Sequence, residues 1–328
     1  MFGTRLGVDL GTASILVYLE GQGIVLKEPS VVAIEKSSGK RIAVGEEARL
    51  MIGRTPSNII ATRPMRDGVI ADYHTTEIML RYLLRRIGIK NRPLFKNKVV
   101  VCIPSGVTEV EERAVKQAAH NAGAGVVKVV EEPYAAALGA GLDISGPEAN
   151  MVVDIGGGTT DIAVLSLGGI VSQKNVRVGG DKFDEAIIRF IRRKYNLLIG
   201  ERTAEEIKIE IGSALPQGRE DKTAYEIKGR DLLTGLPRTV NISSADTYQA
   251  IKEPLEIIIS SVKDVLEKTP PELTADIIDK GIVMTGGGSL LHALGDLISQ
   301  ETGLAVSLAE DPISCVALGT GKLLKHNF

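Results

Sequence analysis

The chain has 328 residues, of which 44% are hydrophobic and 24% are charged. This is the composition of a soluble globular protein with room for two domains. A formal net charge of −2 excludes the basic character typical of nucleic-acid-binding proteins, so nucleic acid is not an expected partner.

The sequence predicts a cytoplasmic protein. No apolar segment approaches the roughly twenty residues that a membrane-spanning helix requires. Asp9 interrupts the N-terminal apolar run before a signal-peptide core can form. Cys102 lies in the apolar run 99–103, which favours a buried free thiol in a reducing compartment.

The N-terminal segment has the pattern of consecutive strands with a polar tip. Residues 6–12 read LGVDLGT, a strand pattern that carries Asp9 and ends in a glycine and a threonine. Residues 14–19 predict the returning strand, and a third strand follows a glycine turn. We expect residues 30–34 to continue this sheet and residues 35–63 to form a small insertion.

Two helices are predicted between residues 73 and 123. Met79 and Leu83 belong to an apolar series with a spacing of four residues, which indicates an amphipathic helix. Thr108 and Glu111 form a capping box that opens a second helix, and Gly123 is suited to end it.

Residues 89–98, between these helices, read IKNRPLFKNK and allow two interpretations. Leu94 and Phe95 are adjacent apolar residues, and basic residues flank them at Lys90, Arg92, Lys96 and Lys98. The loop could bury Leu94 and Phe95 in the core. Alternatively, it could insert them into an anionic membrane surface. Composition does not separate the two.

A strand predicted at residues 126–130 delivers Glu131, Glu132 and Pro133 to the start of an alanine-rich helix. A carboxylate at the end of a buried strand suits general-base chemistry or the positioning of water. The same position also suits a carboxylate that interacts with the helix dipole. The spacing favours neither interpretation.

Residues 151–167 read MVVDIGGGTTDIAVLSL and repeat the N-terminal pattern. A buried strand ends on Asp154, bare glycine N–H groups can approach a phosphate, and Asp154 can hold Mg²⁺ through water. An ordinary glycine turn is the alternative for one such unit. Two units in one chain instead indicate duplicated domains whose Asp-tipped hairpins face each other across a cleft.

The remainder of the second half predicts helices around another small insertion. Gly179 and Gly180 open a helix whose N-terminus suits a phosphate. Thr203 and Glu206 form a second possible capping box. Residues 213–242 are polar with strand-like alternation and mirror the first insertion.

The C-terminal part predicts a long helix, a last strand and a terminal helix. The long helix has an apolar stripe interrupted by Pro254, so we expect a kink or a helix start near that residue. Residues 281–285 predict the last buried strand, followed by three glycines and a helix from Ser289. The small residues of the terminal helix suit close packing at a domain hinge.

Five motifs in this order resemble the actin-like ATPase superfamily: DLGT at Asp9, EEPYAAA at Glu131, DIGGGTTD at Asp154, TGGGSLL at Thr285 and ALGTG at Ala317. Further segments resemble the MreB/Mbl family: EPSVVAI at Glu28, TRPMRDGVIADY at Thr62, LLIGERTAE at Leu197, GRDLLTGLPRT at Gly229 and KTPPELTADIIDKGIVMTGGG at Lys268. The sequence departs from the usual family pattern at Ser14 and Asp161. The resemblance covers essentially the whole chain.

The resemblance implies ATP and Mg²⁺ as cofactors and a role for each matching position. Asp9 and Asp154 would organise Mg²⁺ through water, and Glu132, assisted by Thr159, would position the attacking water. The remaining residues implied to line the nucleotide are Gly11, Thr12, Ala13, Gly156, Gly157, Gly158, Gly180, Glu205, Lys208, Gly286, Gly287 and Gly288.

The resemblance also implies an α/β actin-like fold with two duplicated ribonuclease H-like domains around a nucleotide cleft. The expected subdomains are IA at 1–32, 66–145 and 312–328; IB at 33–65; IIA at 146–181 and 246–311; and IIB at 182–245.

The implied function is slow ATP hydrolysis coupled to assembly of antiparallel double filaments of this chain. The filaments would lie on the inner face of an anionic cytoplasmic membrane, contacted through Leu94, Phe95 and Phe2. Their implied partners are cell-wall synthesis and rod-shape membrane proteins. Two alternative functions share the pair of Asp-tipped hairpins around a nucleotide: a chaperone nucleotide domain, and a sugar or acetate kinase. The first needs a C-terminal peptide-binding domain, and the second needs a further carboxylate base.

Overall fold

The computed structural model describes residues 3–88, 97–217, 219 and 224–327. The strands of the first half are β1 (Arg5–Leu10), β2 (Ser14–Leu19), β3 (Gly23–Pro29), β4 (Val32–Glu35), β5 (Arg41–Val44), β6 (Ile59–Thr62), β7 (Met65–Arg66), β8 (Val69–Ile70), β9 (Lys98–Ile103) and β10 (Val126–Glu131). Its helices are α1 (Glu46–Arg49), α2 (Tyr73–Arg86), α3 (Glu109–Ala122) and α4 (Glu132–Gly139).

The second half is built in the same style. Its strands are β11 (Asn150–Ile155), β12 (Thr160–Ser166), β13 (Gly169–Val176), β14 (Leu197–Leu198), β15 (Tyr225–Asp231), β16 (Pro237–Ile242), β17 (Ile282–Thr285) and β18 (Val306–Leu308). Its helices are α5 (Gly180–Tyr195), α6 (Glu201–Ile211), α7 (Ser244–Lys268), α8 (Pro271–Lys280), α9 (Leu294–Thr302) and α10 (Cys315–Asn327), with a 3₁₀ turn at Gly287–Leu290.

Two large sheets share one topology. Within the described residues the strand orders are β10-β9-β1-β2-β3 and β13-β12-β11-β17-β18. In each sheet three consecutive strands form an antiparallel meander, and two later strands add in parallel beside the first. The predicted internal repeat is confirmed, and it places Asp9 and Asp154 at equivalent positions.

Each half also carries a smaller three-stranded sheet, with orders β5-β4-β6 and β14-β15-β16 among the described strands. The expectation that residues 30–34 continue the first large sheet was wrong. Strand β4 instead pairs antiparallel with β5 and β6. Strand β3 ends at Pro29, and one further backbone hydrogen bond, from the Ser30 N–H to the Ala13 carbonyl oxygen at 2.9 Å, closes its pairing with the first sheet before β4 begins at Val32.

Helix boundaries confirm one predicted cap and correct two other predictions. The capping box of α3 at Thr108 is present, and Gly123 ends that helix in the left-handed conformation. The second predicted box was wrong, because α6 already begins at Glu201 and Thr203 lies inside it. A start of α7 near Pro254 was also wrong, because a capping box at Ser243 opens that helix.

The chain after residue 280 differs from its prediction in two details. Strand β17 forms as expected, but β18 follows it and pairs with it in parallel. The expected helix from Ser289 is a short 3₁₀ turn, and α9 begins only after Ala293, which has a φ of 60°. Glycines 286–288 therefore lie in a turn, and not in a helix, where they border the cleft.

Helices α4 and α10 cross closely between the two halves. A Cβ added to Gly139 would collide with the Cys315 carbonyl oxygen, and one added to Gly319 would collide with the Ala135 carbonyl oxygen. Side chains of α4 pack with Val152 of β11 and other buried residues in one cluster. The predicted close packing of the terminal helix is confirmed, and it joins the halves behind the cleft.

Candidate functional site

A cavity of about 560 Å³ lies between the two halves. Every residue predicted for catalysis, metal or nucleotide lines it: Asp9, Gly11, Thr12, Ala13, Glu132, Asp154, Gly156, Gly157, Gly158, Thr159, Gly180, Glu205, Lys208, Gly286, Gly287 and Gly288. The predicted membrane residues Phe2, Leu94 and Phe95 lie outside the described residues. The fold therefore gathers residues that are far apart in sequence.

The two hairpin tips face each other at close range. A Cβ on Gly157 would come within 2.7 Å of the Ala13 Cβ, and one on Gly158 within 2.5 Å of the Thr12 hydroxyl oxygen. The Gly180 N–H donates to the Gly156 carbonyl oxygen at 3.0 Å, which anchors the start of α5 on the second loop. Bare glycine backbone is therefore required on the second hairpin, where it passes close to Thr12 and Ala13 of the first.

Carboxyl groups converge at the floor of the cavity. Burial, with Asp154 beside it, raises the pKa of Asp9 from 3.8 to about 8. Burial likewise raises the pKa of Asp154 to about 6, although the Thr285 hydroxyl donates to its Oδ1 at 2.8 Å and lowers that pKa. Carboxyl groups so close together in a recessed site favour a bound cation, which would stabilise their ionised forms.

Glu132 is the first residue of α4, directly after β10. Burial and then the negative charges of Asp161 and Asp9 raise its pKa well above the usual range. Asp161 lies opposite Asp154 across the ladder, and its two oxygens accept from the Ser105 N–H at 2.7 Å and the Asn175 amide at 2.8 Å. Asp161 is therefore held in a fixed position next to Asp154 and near Glu132.

The donor set fits Mg²⁺ and a polyphosphate. The two aspartates offer hard oxygen ligands, and the glycine loops offer N–H groups that no Cβ shields. Among the described residues, no three His, Cys, Asp or Glu side chains group closely enough to hold a metal ion directly.

Another wall of the cavity carries charged side chains, and some of them pair with one another. Lys208 Nζ donates to Asp184 Oδ2 at 2.8 Å and to the Gly180 carbonyl oxygen at 3.0 Å. Burial raises the pKa of Asp184 to about 7, and Lys208 opposes that shift. Glu205 lies 3.8 Å from Arg49, so an ion pair links α6 of the second half to α1 of the first half across the cleft.

Sequence reasoning missed several cavity-lining residues. They include the basic residues Lys27, Arg49, Arg63 and Arg219 and the apolar residues Ile209, Leu290 and Leu291. Leu290 is 52% exposed although it borders the cavity. The basic residues and Ile209 stand outside the glycine-rich motifs, and no local spacing distinguishes them from ordinary surface residues. Leu290 and Leu291 end the TGGGSLL motif, but the motif by itself gave them no role.

The raised pKa of Asp9 gives a test of stability. A carboxyl with a higher pKa in the folded than in the unfolded chain stabilises the fold below about pH 4, and this contribution is lost as the pH rises through about 8. Without metal or nucleotide, we expect Asp9→Asn to be a few kcal/mol more stable than wild type at about pH 8. Urea unfolding at about pH 5 and 8 measures this. An unchanged pH dependence in the variant would contradict it.

Comparisons with known proteins agree with this geometry. A family model described as MreB/Mbl protein matches residues 3–327. The chain is 52% identical over 326 residues to the cell shape-determining protein Mbl of Bacillus cereus, covering 99% of this chain and 97% of that protein. It is 51% identical over 329 residues to the cell shape-determining protein MreB of Escherichia coli, covering 99% and 94%.

A solved structure gives the same picture for the fold. MreB5 of Spiroplasma citri bound to ADP superposes with a TM-score of 0.92 at 38% identity, covering 98% of this chain and 96% of that chain. The expected actin-like fold is thus confirmed. With a family model that spans residues 3–327 and relatives at about half identity over nearly all of its length, the chain belongs to the MreB/Mbl family.

Proposed function

We propose that this chain is an ATP-dependent, filament-forming bacterial actin that hydrolyses ATP slowly. The observation that carries the proposal is the convergence of two Asp-tipped glycine hairpins and Glu132 on one cavity. A clamp of this kind suits a Mg²⁺-bound polyphosphate. The solved structure described above, MreB5 of Spiroplasma citri, is bound to ADP.

Each wall of the cavity has a proposed role. Asp9 and Asp154 would hold Mg²⁺ through water, and the two glycine loops would donate N–H groups to the phosphates. When bound, Mg²⁺ neutralises charge on the phosphate oxygens. Glu132 would accept a hydrogen bond from the attacking water and orient it toward the γ-phosphorus, with the Thr159 hydroxyl assisting. Positioning and charge stabilisation then account for catalysis.

The nucleoside end would lie on the second half. Gly286, Gly287 and Gly288 form a turn whose close approach to β11 is needed, because a Cβ on Gly288 would come within 2.5 Å of the Ile155 Cγ2. Glu205 and Lys208 would flank the ribose or the base. Since Glu205 also reaches Arg49, nucleotide binding and closure of the cleft would share one residue.

The four subdomains proposed from the resemblance fit this arrangement. Subdomains IA and IIA would contain the two large sheets, and IB and IIB would contain the two small ones. The crossing of α4 and α10 would serve as the hinge between the halves.

The proposed location is the inner face of the cytoplasmic membrane, where antiparallel double filaments would organise cell-wall synthesis and rod shape with membrane-protein partners. The relatives' names, cell shape-determining proteins, support this role. In the part of the chain that the structure describes, no helix is both long and apolar enough to span a bilayer. Leu94, Phe95 and Phe2 are the proposed membrane contacts.

Sedimentation with vesicles tests the proposal. With Mg-ATP and vesicles of anionic lipid, we expect the protein to form filaments that pellet with the lipid. The variant Leu94→Ser/Phe95→Ser should hydrolyse ATP normally but remain in the supernatant. A wild-type protein that forms no filaments with any nucleotide would contradict the cytoskeletal function. A double variant that pellets like wild type would contradict the membrane contact alone.

A further inference from the structure

A second cavity, of about 290 Å³, lies away from the nucleotide cleft. Its lining residues come from the edge of a small sheet and from α2: Lys40, Arg41, Ile78, Arg81, Tyr82 and Arg85. We call it the basic pocket. Four of its six lining residues carry a positive charge and none carries a negative one. None of these residues takes part in the proposed ATPase site.

The fold builds this pocket from two directions. The α2 residues recur at positions i, i+3, i+4 and i+7, so they share one face of the helix. Strand β5 brings Arg41 to that face, where its guanidinium carbon lies 4.6 Å from the centre of the Tyr82 ring. Stacking on an aromatic ring holds a guanidinium in a defined place.

The cations of the pocket are paired less completely than two arginines close to it in the chain. On the neighbouring turn of α2, Arg86 pairs with Glu28, and on α1, Arg49 pairs with Glu46. Of the pocket's cations, Arg81 pairs with Glu77. Considering only the residues that the structure describes, Lys40, Arg41 and Arg85 lie beside no carboxylate at ion-pair distance. Like charges around one cavity repel each other, and a bound anion relieves that repulsion.

The chemistry of the lining selects the anion. Guanidinium groups bind phosphate through paired N–H donors, and Lys40 adds a point charge. The volume is near the lower end for small-molecule pockets, which suits a phosphate carrying a small polar substituent. In the chain, α2 leads within a few residues into the segment that contains Leu94 and Phe95.

We propose that the basic pocket binds the phosphate of an anionic lipid headgroup, resting on the membrane association proposed above. The apolar pair would supply insertion, and the pocket would supply selectivity for anionic lipid. Each basic side chain near an anionic surface strengthens binding about fivefold, so losing two should weaken vesicle binding roughly 25-fold.

Vesicle binding by matched variants tests this. In Arg41→Gln/Arg85→Gln we expect roughly 25-fold weaker binding to phosphatidylglycerol vesicles, with ATP hydrolysis in solution unchanged. The control Arg192→Gln/Arg193→Gln removes the same charge from exposed positions in the last turn of α5 and should bind nearly as wild type does. Equal binding by wild type and the pocket variant would overturn the inference while leaving membrane association intact. Failure of wild type to bind would instead overturn the membrane proposal itself.

A local reporter gives an independent readout. The chain contains no tryptophan, so Tyr82→Trp places a single indole in the pocket. Its emission should change with phosphatidylglycerol vesicles but not with phosphatidylcholine vesicles, and Arg41→Gln/Arg85→Gln should remove the change. If the indole emission of the Tyr82→Trp variant did not change while vesicles bound, the inference would be overturned. If soluble glycerol phosphate changed the emission equally, in protein saturated with ADP, the ligand would be a free phosphate ester. The proposal that a lipid headgroup supplies the phosphate would then be overturned.

Discussion

Replacement of Glu132 by glutamine is expected to lower the ATP turnover number by about two to four orders of magnitude, with ATP affinity within about threefold of wild type. The amide keeps the size of the side chain but loses the charge that would orient and polarise the attacking water. Single-turnover hydrolysis and nucleotide titration measure the two quantities separately. Glu132→Gln filaments should still assemble with ATP and then persist, because the nucleotide in them stays uncleaved.

The neighbouring carboxylate provides a matched control for this prediction. Glu131 precedes Glu132 directly but does not line the cavity, and its Oε1 accepts from the Gln173 amide at 3.3 Å. Glu131→Gln should therefore hydrolyse ATP at nearly the wild-type rate. Equal losses in both variants would mean that the effect is structural and that Glu132 has no separate role.

The pH dependence of hydrolysis sharpens the same test. The ionised form of Glu132 is the form that accepts from water, and burial with neighbouring negative charge raises its pKa well above the usual range. The wild-type rate should therefore rise with pH over a range above that of an ordinary glutamate. The residual rate of Glu132→Gln should lack that rise, and a variant that kept it would exclude Glu132 as the titrating group.

The second large effect is expected at the crossing of α4 and α10. In Gly319→Ala the added Cβ would collide with the backbone oxygen of Ala135, which has no side-chain rotamer available to relieve the clash. The helices would have to move apart, so we expect destabilisation by about 3 kcal/mol, the upper end of the usual cost of overpacking. Urea unfolding followed by circular dichroism measures this loss.

Two further variants define what that result means. Gly146→Ala adds the same methyl group where no atom lies within 4 Å of the new Cβ, so its stability should match wild type. Gly139→Ala should resemble Gly319→Ala, because its Cβ would meet the Cys315 carbonyl oxygen at the same crossing. If Gly319→Ala unfolded at the wild-type urea concentration, the crossing would not be the close contact described above.

Sequence patterns correctly predicted features that depend on neighbouring residues. The Asp-tipped hairpins, the capping box of α3 and the stop at Gly123 follow from side-chain periodicity, capping chemistry and glycine's tolerance of positive φ. The resemblance then identified those cavity-lining residues that belong to the nucleotide motifs, because the motifs keep their order along the chain. Roles for these residues remain predictions that the variants above test.

Features that depend on partners distant in sequence were decided by the tertiary structure. Residues 30–34 have a strand pattern, but nothing in that pattern shows that β4 pairs with β5 and β6. Likewise, no local signal places Glu205 beside Arg49, or Arg41 over the Tyr82 ring. Periodicity determines which face of an element is apolar, whereas the choice among possible partners is settled by packing and hydrogen bonding across the whole fold.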